Sequence, residues 1–219
     1  MIRNLKVLLA AAMALAAIGA VSAGAAQAAE FHCSVANCRF TALPDGTGTT
    51  AHHVFIVENA TKTEQVSFTC NELRGEGTSA TTTTSEVTLE AIKYETCKVN
   101  GSSGVVVDMN GCDYLFKAAG TVTIKCPEGK KIEVTVPGGC VFSIAAQGPL
   151  STIGYTTIGT TPNREVTVTA NVSPIAVTGN ATCNSLINTG QTLTGTYTTG
   201  NTKVTGETQA GVMADAWFL

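Results

Sequence analysis

Eight cysteines are the residues of this sequence whose types and spacing point most clearly to a chemistry. They are Cys33, Cys38, Cys70, Cys97, Cys112, Cys126, Cys140 and Cys183. An even number of cysteines in a short exported chain is typical of a disulfide framework, whereas a zinc site would show close C-x₂-C pairs. We therefore predict four disulfide bonds. Cys33 pairs with Cys38, because the short segment between them can turn back on itself, and the other six cysteines stay unassigned.

The histidines are the residues that could serve as general bases or metal ligands. His52 and His53 precede the strand-like run from Val54 to Val57. Neighbouring residues of a strand point to opposite faces, so these two rings cannot share one metal ion. The sequence contains neither an H-E-x-x-H helix nor a G-x-S-x-G elbow. We predict an exposed strand start for the histidine pair and assign no catalytic, metal-binding or cofactor-binding residue.

Oxygen-bearing side chains cluster at Asp108, Asn110 and Asp113. Their spacing suggests a calcium loop, but the fifth-position ligand, the sixth-position glycine and the downstream glutamate of an EF-hand are missing. Asn110-Gly111 instead predicts a β-turn. Paired carboxylates of a glycoside hydrolase meet only in the folded protein, so an acid pair stays open as an alternative.

Short alternating runs must position these residues. Apolar and polar residues alternate with the period of two that is typical of half-buried strands. The runs are Val66–Cys70, Val87–Leu89, Val122–Cys126, Ile132–Val136, Val166–Val172 and Thr192–Tyr197. Turn signals stand between them, at Asn100-Gly101, Asn110-Gly111, Pro127–Gly129, Pro137–Gly139 and Gly200-Asn201. The fold class we predict is all-β, an antiparallel β-sandwich or barrel-like domain stapled by disulfides. Residues 76–86, mostly Gly, Thr and Ser, predict an edge strand or a loop.

The N-terminus has the features of a secretory signal. Arg3 and Lys6 precede an apolar run from Val7 to Val21, which is followed by small residues up to Ala28. We predict a cleaved signal peptide over residues 1–28 and one disulfide-rich β domain over residues 29–219, with two β lobes as the alternative. The product has no stable membrane anchor after cleavage.

Charge argues against nucleic acid as a partner. The chain has thirteen basic and sixteen acidic residues, and removal of Arg3 and Lys6 leaves eleven basic residues and a net charge of −5. A phosphate-binding surface needs clustered Lys and Arg, whereas Lys130-Lys131 is the one short basic cluster.

Three segments carry a resemblance to a known group of proteins. They are Asn110–Phe116, Cys126–Cys140 and Pro162–Val168. The chain resembles secreted β-rich proteins of high-GC Gram-positive (actinobacterial) soil bacteria, a family without an assigned activity. The resemblance implies a bacterial protein that is extracellular or associated with the cell wall, and it transfers no site residue.

Together these features predict a secreted, non-enzymatic β-scaffold protein. Its role is structural or binding, its partner is an extracellular or cell-wall ligand, and no cofactor is expected. Tyr155-Thr156-Thr157 and Tyr197-Thr198-Thr199 are candidate turns for contact with a glycan, and the C-terminal segment around Trp217 predicts a last strand packed on the core. The alternative is a secreted hydrolase that acts on polysaccharide with an acid pair.

Overall fold

The fold consists almost entirely of antiparallel strands. The computed structural model describes residues 28–43 and 53–219, so most of the predicted signal peptide lies outside the described residues. The strands are β1 (Phe31–Cys33), β2 (Cys38–Leu43), β3 (His53–Asn59), β4 (Gln65–Ser79), β5 (Thr83–Thr84), β6 (Glu86–Val99), β7 (Ser102–Ser103), β8 (Val106–Asp108), β9 (Asp113–Lys117), β10 (Thr121–Lys125), β11 (Ile132–Val136), β12 (Cys140–Ile144), β13 (Gln147–Ser151), β14 (Ile153–Ile158), β15 (Glu165–Gly179), β16 (Leu193–Glu207), β17 (Met213–Ala214) and β18 (Ala216–Phe218). A short 3-10 helix, Ala181–Ser185, precedes β16. The predicted all-β fold class is confirmed.

Four long strands, β4, β6, β15 and β16, form the frame of the molecule. β4 pairs with β6, and β15 pairs with β16, in both cases over most of their length. β2 and β3 lie end to end between β4 and β16, because each of them pairs with both of these long strands. The long strands therefore connect the two ends of the molecule.

At one end the strand pairings close into a ring, which gives this end a barrel-like form. The order is β4, β6, β9, β10, β13 with β14, β15, β16 and β2. The junction between β13 and β14 is Thr152, whose backbone N–H and C=O both bond to Asn171 of β15, at N···O distances of 3.1 and 2.9 Å. A closed ring of this size encloses an interior that side chains or one small ligand can fill.

At the other end a second ring stays open along one line. Its strands are β3, β4, β6, β8, β11, β12, β15 and β16. β8 pairs with β11, and β11 pairs with β12. β8 also lies beside β6, but no backbone pairing joins β6 to β8 among residues 28–43 and 53–219. The wall of the molecule therefore has a seam between these two strands.

The core follows the predicted alternation of the strands. In β11, Ile132, Val134 and Val136 are buried, whereas Glu133 and Thr135 are exposed. Aliphatic and aromatic side chains from both rings form one large cluster. A smaller cluster around Phe31 and Phe40 lies where β1 pairs with β18 and β5.

All eight cysteines form disulfide bonds, as predicted. Cys33 bonds to Cys38, and this predicted pairing is confirmed. The other three bonds are Cys70–Cys97, Cys112–Cys126 and Cys140–Cys183. Cys70 and Cys97 face each other across β4 and β6, so the pairing of these strands brings the two thiols together.

One local prediction is wrong, and another holds only in part. Gly200-Asn201 is not a turn but lies inside β16, where a β-bulge shifts the register against β15 and Asn201 takes a φ of 85°. A β-bulge and a tight turn both favour such residues, since both need a positive φ. Residues 76–79 end the central strand β4, where they pair with β2, and Glu76 and Gly77 also pair with β6. The rest of the segment fits the prediction of an edge strand or a loop. Residues 80–82 belong to no strand, and β5 lies at the edge of the sheet that it forms with β1 and β18.

Candidate functional site

An apolar cavity of about 170 Å³ lies inside the shell of strands. Its wall draws side chains from both rings, among them Phe55, Leu73, Val122, Ile144 and Ala170. Protein interiors are close-packed and hold few voids larger than a water molecule. A space of this volume is therefore a feature of the molecule that needs a physical explanation.

The alternation of the strands places these side chains on the inner face. In β15, Val166, Val168, Ala170 and Val172 follow one another at a spacing of two, and all four line the cavity. Charged residues take the outward positions. Glu165 of β15 and Lys203 of β16, for example, pair with each other at 3.9 Å. Among the described residues, no Asp, Glu, Lys or Arg lines the cavity.

Among the described residues, the polar side chains in the apolar wall are His53, Tyr94, Tyr114, Tyr155, Tyr197, Thr199 and Thr202. We call four of them, His53, Tyr94, Tyr114 and Tyr197, the tyrosine row. His53 Nδ1 lies 2.7 Å from Tyr197 Oη, and the hydroxyls of Tyr94 and Tyr114 are 3.2 Å apart. The ring of Tyr94 stands edge-on to His53 and to Tyr197, at centroid distances of 5.8 and 6.5 Å. The row thus joins strands β3, β6, β9 and β16 across the interior.

Burial fixes the charge state of the three tyrosines of the row. It raises the pKa of the Tyr94 and Tyr114 hydroxyls well above the usual range, and it also raises the pKa of Tyr197. The physical cause is desolvation, which disfavours the phenolate form. These tyrosines stay protonated and can both donate and accept hydrogen bonds inside the cavity.

Tyr155, the fourth tyrosine of the chain, also lines the cavity but does not belong to the row. Its hydroxyl donates to the backbone carbonyl of Lys117 at 3.1 Å. Its ring packs against Phe31 and Phe218, at centroid distances of 4.8 and 4.9 Å. Tyr155 therefore serves the packing of the terminal strands.

The position of His53 corrects an expectation from the sequence. His53 is buried, with 4% of its surface exposed, and does not form an exposed strand start. It shares the inner face of β3 with Phe55, since residues two apart in a strand point to the same side. His52 lies outside the described residues. Within the described ranges, no three His, Cys, Asp or Glu side chains come together as a metal site.

A surface groove runs along the seam between β6 and β8. Ala91, Ile92 and Lys93 of β6 line one side of it, and residues 106–113 line the other. Ala91 has a φ of 50°, which interrupts the regular course of β6 at this point. Val107 lines both the groove and the inner cavity. The wall between the groove and the cavity is therefore thinnest at the side chain of Val107.

The other candidate residues from the sequence have structural roles. Asn110 and Gly111 form the predicted turn, with φ values of 49° and 78°, and the Asn110 N–H donates to Asp108 Oδ1 at 2.9 Å. Tyr155–Thr157 and Tyr197–Thr199 are not turns but lie within β14 and β16. The rings of Tyr155 and Tyr197 face the interior, so they are not available to a glycan on the surface.

The C-terminal segment forms the predicted last strand, β18, which pairs with β1. Trp217 stacks on His32, with 5.1 Å between ring centroids, and the Arg164 guanidinium lies 3.8 Å from the Trp217 centroid. Arg164 also bonds through Nε to Asp215 Oδ2 at 3.3 Å. These contacts hold the C-terminus on the shell.

The described part of the chain contains no helix with the length and apolar character needed to cross a membrane. No protein-family model matches the sequence, and comparison with curated proteins and with solved structures likewise finds no match. The cavity and the residues that line it are therefore the features that bear on function.

Proposed function

We propose that this is an exported, non-enzymatic bacterial binding protein that holds one small, uncharged, largely apolar molecule inside its shell of strands. The four disulfide bonds support the exported, extracellular part of this proposal, because such bonds persist in oxidising compartments. The predicted signal segment supports it as well.

The observation that carries the binding role is the cavity itself. Empty apolar volume costs on the order of 24 cal/mol per Å³, so a cavity of about 170 Å³ corresponds to about 4 kcal/mol of stability that tighter packing would supply. That figure is a large part of the total stability of a typical domain. A bound apolar ligand would recover much of it.

The cavity sets the size and charge of the ligand. Sites for drug-sized molecules measure roughly 300–1,000 Å³, and an apolar cavity of about 150 Å³ in another protein accepts benzene. A volume of about 170 Å³ therefore suits a molecule with one six-membered ring. The described wall has no Asp, Glu, Lys or Arg side chain, which favours a neutral ligand, since burying an unpaired charge is costly.

The hydrolase alternative finds no support in the described residues. A general acid needs a carboxyl group with a raised pKa. Asp215 is buried, but hydrogen bonds from the backbone and side chain of Arg164 lower its pKa. Asp108 accepts a hydrogen bond within a turn and lies on the surface.

Toluene is a suitable first probe, because it is neutral, apolar and of the required size. We expect it to raise the free energy of unfolding, by about 2.7 kcal/mol when its concentration is one hundred times Kd. Urea unfolding with and without toluene measures the effect. No rise at any concentration, with toluene or with its hydroxylated analogue p-cresol, would overturn the proposed function.

A matched pair of variants tests whether toluene raises the free energy of unfolding by binding in the cavity. Ala170→Leu adds volume on the inner face of β15 and should abolish the toluene effect while the protein stays folded. Ala176→Leu adds the same volume at an exposed position of the same strand and should leave the toluene effect unchanged. Equal toluene effects in both variants would contradict binding in the interior.

A further inference from the structure

We propose that the tyrosine row recognises a hydroxyl group on the ligand, so that the bound molecule is a small phenol or cyclic alcohol. This inference rests on the proposed function and names the chemical class of its ligand. It is carried by the geometry of the row within a wall that is otherwise almost entirely apolar.

The three tyrosine oxygens of the row have more lone pairs than their own hydrogen bonds use. Each hydroxyl supplies one donor, and each oxygen can also accept. Tyr94 bonds to Tyr114 and to Tyr197, and Tyr197 also bonds to His53 and Thr199. Groups of this kind beside an apolar space are typical of the few polar contacts that orient a small ligand.

The row offers lone pairs to a ligand whichever way its own hydrogen bonds run. Every tyrosine O–H has an acceptor within the row or in Thr199. These bonds do not use all the lone pairs of the three tyrosine oxygens. A ligand hydroxyl group can donate to such a lone pair, whereas a carbonyl group, which only accepts, cannot.

Charge excludes the ionised relatives of such a ligand. The described residues of the cavity wall include no Lys or Arg that could pair with a carboxylate or a phenolate. The raised pKa values of Tyr94, Tyr114 and Tyr197 show that these three hydroxyls stay protonated and uncharged. The preferred ligand is therefore neutral at the pH at which it binds.

The test compares three probes of one shape: toluene, p-cresol and 4-methylbenzoate. Titration calorimetry gives a Kd for each, and the ratio of the toluene Kd to the p-cresol Kd measures the preference for a hydroxyl group. This ratio should fall about fivefold or more in at least one of the variants Tyr94→Phe, Tyr114→Phe and Tyr197→Phe. A fivefold change corresponds to the net contribution of one hydrogen bond. 4-Methylbenzoate should bind more weakly than p-cresol.

Tyr155→Phe is the matched control, since it removes a hydroxyl from a cavity-lining tyrosine outside the row. Its ratio should equal that of the unsubstituted protein. Near-UV circular dichroism checks that each variant is folded, and three separate row variants keep the test valid if one of them fails to fold.

The outcomes separate the two proposals. If toluene and p-cresol bind but no row variant changes the ratio, the hydroxyl-recognition role is overturned and the proposed function stands. Tighter binding of 4-methylbenzoate than of p-cresol would overturn the neutral ligand class. If neither toluene nor p-cresol binds, both proposals fail.

Discussion

The surroundings of Asp215 predict how the stability of the fold depends on pH. Its buried carboxylate accepts hydrogen bonds from the backbone N–H of Arg164, at 2.9 Å, and from Arg164 Nε. The backbone bond is the largest cause of its lowered pKa. The carboxylate therefore stabilises the fold above the unfolded pKa of about 3.9, and this contribution is lost as the pH falls through the lower folded pKa.

Asp215→Asn should accordingly destabilise the protein at pH 7 and have much less effect at strongly acidic pH. Urea unfolding at both pH values measures the difference. Glu133→Gln, at an exposed position of β11, is the control and should change stability little at either pH. A loss of the same size for Asp215→Asn at pH 7 and at acidic pH would contradict the role assigned to this carboxylate.

Single residues also mark the limit of prediction from the sequence. The Cys33–Cys38 bond and the Asn110-Gly111 turn follow from local spacing, and both are confirmed. The tyrosine row does not follow from local spacing, because His53 and Tyr197 lie 144 residues apart and meet only through the pairing of β3 with β16. The available signal was Tyr197 in an alternating run, at a position that faces inward.

At the scale of elements, the seam between β6 and β8 is the place where a ligand can reach the cavity with least disruption. No backbone hydrogen bonds between these strands have to break, and of the residues that the structure describes Val107 alone lines both groove and cavity. Val107→Ala should therefore speed both association and dissociation of toluene several-fold. NMR line-shape analysis of a toluene titration measures these rates.

Val134→Ala is the matched control, because Val134 lies opposite Val107 in the β8–β11 register and lines the cavity without lining the groove. It should change Kd without speeding both rates together. Equal acceleration by the two variants would show that the ligand does not pass the seam.

The alternating strands were predictable at this scale, since period-two patterning is local. The length of β16 was not. The Gly200-Asn201 pair has the composition of a turn, and pairing with β15 and β2 carries the strand through it as a bulge.

At the scale of the whole molecule, the disulfide bonds stabilise a shell that is not fully packed. The stabilisation increases with the length of chain that a bond closes. Cys140–Cys183 spans 43 residues and Cys33–Cys38 spans five. Replacing the first pair by alanine should cost about 4 kcal/mol of unfolding free energy, and replacing the second pair about 2 kcal/mol. Urea unfolding of the two double variants measures the costs, and the reverse order would contradict this account.

The volume of the interior is the property that the sequence could not supply. A cavity depends on how side chains from strands distant in the sequence meet, and a change of one methylene group in the wall alters it. Composition and alternation predict which residues face inward, but not how much space they leave between them.

The central claim is that a small neutral molecule binds inside the shell of strands. A crystal soaked with 4-bromophenol tests it most directly, because the anomalous signal of bromine locates the ring. We expect a bromine peak among the apolar side chains of the cavity, with the phenol oxygen within hydrogen-bonding distance of the tyrosine row. Bromine bound only on the outer surface, in a crystal that takes up the probe, would contradict it.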